Sequence, residues 1–196
     1  MTAHTATRPV QQVRSTRPVR RQRLWSTLLA MAAGSLVSVG LGVYGRTHQP
    51  TFYAINLAGF SSGTAAKAWL ASGVFVLVVV QLASALVLYG RVPGVTGPRW
   101  IGGLHRWSGR AAVLVSAPVA VHCLYALGWQ HDSPRVLVHS LVGCFFYGAF
   151  TAKMLVLRAE VPRWVLPVLG GAVFTAVTTL WLTSSVWFFT TSGLTI

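Results

Sequence analysis

Two histidines are the residues with which chemistry could begin. His122 and His139 stand on either side of a short polar turn in the stretch VHCLYALGWQHDSPRVLVHSLVG, Val121 to Gly143, each inside an apolar run. An ionisable side chain within hydrocarbon is costly, so its presence there is a functional hypothesis by default. At a rise of about 1.5 Å per helical residue, both imidazoles fall roughly 5 to 10 Å below the same membrane boundary, at similar depth. Neutral imidazole suits haem iron, and two such ligands fill both axial positions, which favours electron transfer over oxygen chemistry. His122 and His139 are therefore candidate axial ligands of a b-type haem. The competing reading gives each imidazole a hydrogen bond to a neighbouring helix. Zinc is disfavoured, since two histidines fall short of the three or four protein ligands it takes.

The helix faces bear on space for a macrocycle. The face of His139 continues through Gly143, Phe146 and Phe150, and that of His122 runs back through Pro118, Val115 and Ala111. Gly143 leaves room and the Phe rings offer flat walls; equally, small residues let membrane helices pack closely. His105 is a weaker cofactor-binding candidate. It precedes His122 by a helical distance of about 25 Å and sits about 100° off its face. Its counterpart beyond His139 is Lys153. Contact with a propionate, a quinone or a lipid phosphate competes, for both, with anchoring at the interface. Gln81 and Ser84 either donate to a buried ligand or bond between helices.

Other chemistry is excluded by composition. The chain holds two carboxylates, Asp132 and Glu160, expected on opposite sides of the membrane, so paired-carboxylate catalysis and an acidic proton relay have no components. No P-loop, GxSxG, CxxC or HExxH occurs, and His131, Asp132 and Ser133, being consecutive, cannot converge as a triad. Cys123 and Cys144 both lie within apolar runs and read as small apolar groups.

The elements that must position the histidines are membrane helices. With 54% hydrophobic and 9% charged side chains in 196 residues, the sequence exceeds what a soluble domain can bury. Five runs reach the roughly 20 residues a spanning helix needs: 24–44, 68–89, 111–129, 136–157 and 165–189. Of the sixteen Lys and Arg, thirteen fall on the N-terminal side and three, Arg46, Lys67 and Arg135, on the other. That asymmetry predicts an all-α, five-helix membrane bundle with its N-terminus inside and its C-terminus outside. The +14 charge then reports topology and anionic lipid headgroups, not nucleic acid. Residues 1–23 read as a disordered basic cytoplasmic arm before an uncleaved first helix, 24–190 as the transmembrane domain, and 191–196 as a short outer tail. The loop Arg46 to Ala66 is the one long outer connection. The turn Gln130 to Arg135 is short, so spans three and four are expected as antiparallel neighbours. Helices packed 8 to 10 Å apart cannot sandwich a porphyrin, so a haem there requires that hairpin to splay, or His122 and His139 to face a cavity shared with other spans.

The segments KAWLAS, LHRWSGR, VHCLYALGW, RVLVHSLVGCFFYGAFTAKMLVLR and WLTSSVWFF, from Lys67 to Phe189, resemble an actinobacterial family of membrane proteins known only by a domain-of-unknown-function label. More distantly, the H-x-x-x-G helix entrances at His105 and His139 and the spaced histidines are similar to the cytochrome b561 and ferric-reductase-like transmembrane superfamily. That resemblance implies haem b on His122 and His139, with His105 a weaker contributor. Many of those proteins hold two haems on four histidines, placed on helices further apart in the bundle; this chain has three histidines in or beside its spans. The expected function is single-electron carriage near the outer face of the cytoplasmic membrane, exchanging with a quinol or a partner redox protein, as an electron-transfer component. The alternative is a cofactor-free subunit or scaffold of a larger membrane complex. A transporter ranks third, for want of buried charge and broken-helix repeats.

Overall fold

The computed structural model describes residues 17–52 and 59–196, and every regular element among them is helical. Helix α1 spans Arg17–Thr47, α2 Gly63–Leu88, α3 Ile101–Leu127, α4 Pro134–Val156 and α5 Val165–Ser192. All five are long and apolar enough to cross a membrane. Helix α1 begins seven residues before the expected boundary at Leu24, so the end of the basic segment is helical; residues 1–16 of the expected disordered arm lie outside the described residues. Helix α3 starts ten residues earlier than expected, which brings His105 inside the helix.

Local chemistry sets the starts. The hydroxyls of Ser62 and Ser133 accept the backbone N–H of Ala65 and Val136 at 3.1 and 3.3 Å, capping α2 and α4, and Pro134 occupies the first turn of α4, where no N–H is needed. Pro118 interrupts α3. The backbone N–H of His122 is shared between the carbonyls of Pro118 and Val119, and the helix widens into a π-helical segment, His122–Leu127, that ends at Gly128 with φ 66°. A second π segment, Leu182–Val186, widens α5 at the same end of the bundle. Pro118 announces the first; no residue type announces the second.

Lateral packing runs α1 on α4, α4 on α5, α5 on α2, and α2 on α3. The seam of α1 and α4 is drawn tight by Gly34 and Gly148, and that of α2 and α3 by hydrogen bonds from Gln81 to Ser108 (2.7 Å) and between Ser84 and His105 (2.8 Å). Interhelical polar bonds are favoured where the alternative partner is hydrocarbon. These two seams pull α3 and α4 apart. They are therefore not the antiparallel neighbours that their short turn implied; α3 leans on α2 and α4 on α1. They converge only at mid-depth, where Ala112 and Phe146 share a core with Val74, Val78, Val173 and Val177, and where the hydroxyls of Ser116 and Tyr147 lie 3.4 Å apart. A second cluster, Ala30, Ala152, Val156, Val165 and Leu169, holds the opposite end together.

Candidate functional site

The gap between α3 and α4, closed by α2 and α5, is a cavity of about 360 Å³ at the end of the bundle that carries the α3–α4 turn. That volume is within the range of small-molecule sites, about 300–1,000 Å³. Its depth is apolar: Val74, Phe146 and Val177 form the floor, Gly143 opens the α4 wall, and the rings of Trp129 and Trp181 flank it. Trp181 is fixed by a hydrogen bond from Nε1 to Ser72 Oγ at 3.0 Å and by stacking on Phe75, with centroids 4.2 Å apart. Nearer the membrane boundary the wall turns polar, with Lys67 from α2 and Arg135 and His139 from α4.

His139 is oriented by α5. Its Nδ1 lies 2.9 Å from Thr183 Oγ1, and that hydroxyl donates to the Thr179 carbonyl at 2.7 Å. Since the hydroxyl proton is spent on the carbonyl, Thr183 accepts from His139, and the imidazole is the tautomer protonated at Nδ1. Nε2 then carries the lone pair. This is the arrangement in which a histidine binds a metal or accepts a hydrogen bond, with the far ring nitrogen tied to an outer partner. Arg135, one turn before His139, donates from Nη1 to the backbone carbonyl of the same Thr183 at 2.5 Å and lies over the Trp187 ring, 3.9 Å from its centroid. A single residue of α5 thus fixes two cationic or basic side chains of α4.

His122 is placed elsewhere. It is 5% exposed and lines a separate void of about 20 Å³ between α2 and α3, with Gly63, Ala66, Lys67, Leu70, Pro118 and Val119. Its Nδ1 is buried without a hydrogen-bond partner. The face that α3 gives the large cavity carries Val119, Ala120 and Cys123, and His122 sits one helical step round from it, with Lys67 belonging to the walls of both spaces. The two imidazoles therefore do not share a cavity, and the residues present do not fit a porphyrin gripped between His122 and His139. The splay that such a site requires is there; the second imidazole is not on its wall. Of the faces read from sequence, Gly143 and Phe146 line the cavity, whereas Val115 and Phe150 pack against the core.

His105 joins α3 to α2. Its Nδ1 contacts Ser84 Oγ, whose own proton goes to the Gln81 carbonyl at 3.1 Å, and the Gln81 amide donates to the His105 carbonyl and to Ser108. Gln81 and Ser84 are thus interhelical partners. Lys153 lies in the last turn of α4, remote from the cavity. Among the described residues no group of three or more His, Cys, Asp or Glu is arranged to hold a metal ion.

The sequence reading missed Lys67, Arg135, Thr183 and Trp181. One signal was present: Lys67 and Arg135 are two of the three basic residues that the charge count set apart from the other thirteen. Thr183 and Trp181 belong to WLTSSVWFF but carry no motif of their own. Residues 27–196 match the model of a family of unknown function, DUF6529. No curated protein and no solved structure matches the chain.

Proposed function

We propose that this chain, which belongs to the DUF6529 family of unknown function, is a multi-pass membrane protein that binds a flat, largely apolar ligand in the cavity between α3 and α4, with His139 Nε2 as its point of attachment. The observation that carries this reading is the bonded pair His139–Thr183: a half-buried imidazole on the wall of an aromatic-sided cavity, with Nδ1 tied to Thr183 and a lone pair left on Nε2. Such a lone pair binds iron or accepts a proton from a hydroxyl.

Among flat apolar ligands the b-type haem is the one that the imidazole chemistry favours, held through His139 and not through a His122–His139 pair. When bound, such a group supplies one-electron redox chemistry. The chain's own part is to fix the ligand nitrogen through Thr183, to stack Trp181 and Trp129 along the site, and to keep water from its apolar floor. A quinol is the second reading, favoured by the same lone pair, which accepts a hydrogen bond from a phenolic hydroxyl.

The test is a visible spectrum of protein purified in detergent from haem-supplemented cells, oxidised and then reduced with dithionite, together with organic extraction of bound quinones. A Soret band with reduced α and β bands, lost in His139→Ala and kept in His122→Ala, supports haem on one imidazole. Loss in both variants restores the two-imidazole site. A colourless wild type that yields a quinone on extraction supports the second reading. A colourless protein with no extractable ligand leaves the scaffold alternative.

A further inference from the structure

The polar rim of the cavity carries two cations that form no ion pair among the described residues. Lys67 and Arg135 line it, and among the described residues the one ion pair is Arg23–Glu160, joining α1 to the α4–α5 turn. Asp132 is the sole acid on the cavity wall; it is exposed in the turn before α4 and within 4 Å of neither cation. Lys67 stands fifth in α2, just past its first turn, and Arg135 second in α4, inside the first turn. There the helix macrodipole is positive and disfavours a cation. Arg135 is thus placed against its own helix dipole, and both cations stand at the edge of an apolar space, where an unpaired charge is costly. Arg135 is held in that position, by the Thr183 carbonyl and the Trp187 ring, instead of being left free to swing to solvent.

We infer that the ligand of this cavity is an acid: an apolar body bearing a carboxylate or phosphate that lies between Lys67 and Arg135. The inference rests on the reading of the cavity as a ligand site and narrows it, because a neutral quinone or quinol leaves both cations unpaired. Haem, through its propionates, and a lipid, through a fatty carboxylate or a phosphate, share this chemistry. The Arg135 guanidinium has donors left for a carboxylate or phosphate after its single bond to Thr183.

The experiment compares acids with their esters on detergent-purified, delipidated full-length protein. The probes are haemin against haemin dimethyl ester, followed by the Soret band, and 9,10-dibromostearate against its methyl ester, followed by quenching of tryptophan fluorescence, since Trp129 and Trp181 flank the cavity. The inference expects at least one acid to bind tenfold or more tightly than its ester; which acid does so identifies the source. Lys67→Gln and Arg135→Gln each remove most of that preference, whereas Arg135→Lys keeps part of it, and all three variants keep wild-type helicity and elution volume. Equal binding of acid and ester in both pairs, with both blocked by Gly143→Leu, overturns the anionic head and leaves the cavity reading intact. Binding that Gly143→Leu does not weaken, or no binding of any probe, overturns both.

Discussion

Gly34 of α1 and Gly148 of α4 face each other so closely that a methyl group on either would come within 2.5 Å of the other's carbonyl oxygen. Two helix backbones approach that closely only where neither carries a side chain, and in lipid such contacts are the main source of helix association. The same contact fixes the site, because it commits α4 to α1 and so leaves the space beside α3 open.

Gly34→Leu and Gly148→Leu are each expected to destabilise the protein by at least the ~1–3 kcal/mol typical of overpacking. A differential scanning fluorimetry trace in detergent reads this as a lowered Tm. Gly73→Leu is the control: it stands within a helix with nothing in reach of an added Cβ, and its Tm should match the wild type. An unchanged Tm in both seam variants would sink the role given to this contact.

The Ser84–His105 bond is expected to behave as an interhelical clasp. A double-mutant cycle with Ser84→Ala and His105→Phe should give a coupling of ~0.6 kcal/mol, the average for side-chain hydrogen bonds between membrane helices. Neither variant should alter ligand content, because the pair lies outside the cavity. Loss of a bound chromophore in His105→Phe would return His105 to the cofactor site.

His122 makes the opposite prediction. Its Nδ1 is buried without a partner, and an unsatisfied buried polar group costs about 1–3 kcal/mol. His122→Leu, which fills similar volume without a polar atom, should leave the Tm unchanged or raise it, with ligand content intact. A marked fall in Tm accompanied by loss of an absorbing ligand would show that the imidazole is bonded to that ligand.

Much of the fold was legible because the signals behind it are local. The five apolar runs depend on neighbouring residues and each became a helix, although α1 and α3 begin seven and ten residues ahead of the runs read for them; the capping hydroxyls of Ser62 and Ser133 were not singled out in the sequence. What was not legible depends on contacts between helices distant in sequence. The short turn read at Gln130 to Arg135 argued for adjacency of α3 and α4, and it was overridden by Gly34 with Gly148 on one side and Gln81 with Ser108 on the other. Of the two histidines read as a pair, His139 lines the cavity and His122 the small void between α2 and α3, a difference set by how the helices pack and not by either residue's neighbours in sequence.

Orientation is the next prediction. Thirteen of sixteen Lys and Arg on the N-terminal side place that side in the cytoplasm. In a background with Cys123 and Cys144 replaced by alanine, a cysteine at His131 should react with an impermeant maleimide on intact cells, and one at Ala159 only after lysis. The reverse pattern would invert the topology and move the cavity to the inner face.

Thr183 is the residue on which the chemistry of His139 depends. Its hydroxyl donates to the Thr179 carbonyl and so accepts from Nδ1, which keeps the lone pair on Nε2. Thr183→Val preserves shape but supplies no acceptor, leaving the imidazole free to change tautomer and to rotate. Outer-partner changes of this kind typically weaken a histidine's ligand 10- to 100-fold. The expected outcome is a fall of that order in affinity for the bound ligand, read by titration of delipidated protein with haemin. Arg135 should stay in place, because it bonds to the Thr183 backbone and not to its side chain. Thr183→Ser, which keeps the hydroxyl, should restore most of the affinity. Equal affinity in Thr183→Val and wild type would mean that His139 does not hold the ligand through Nε2.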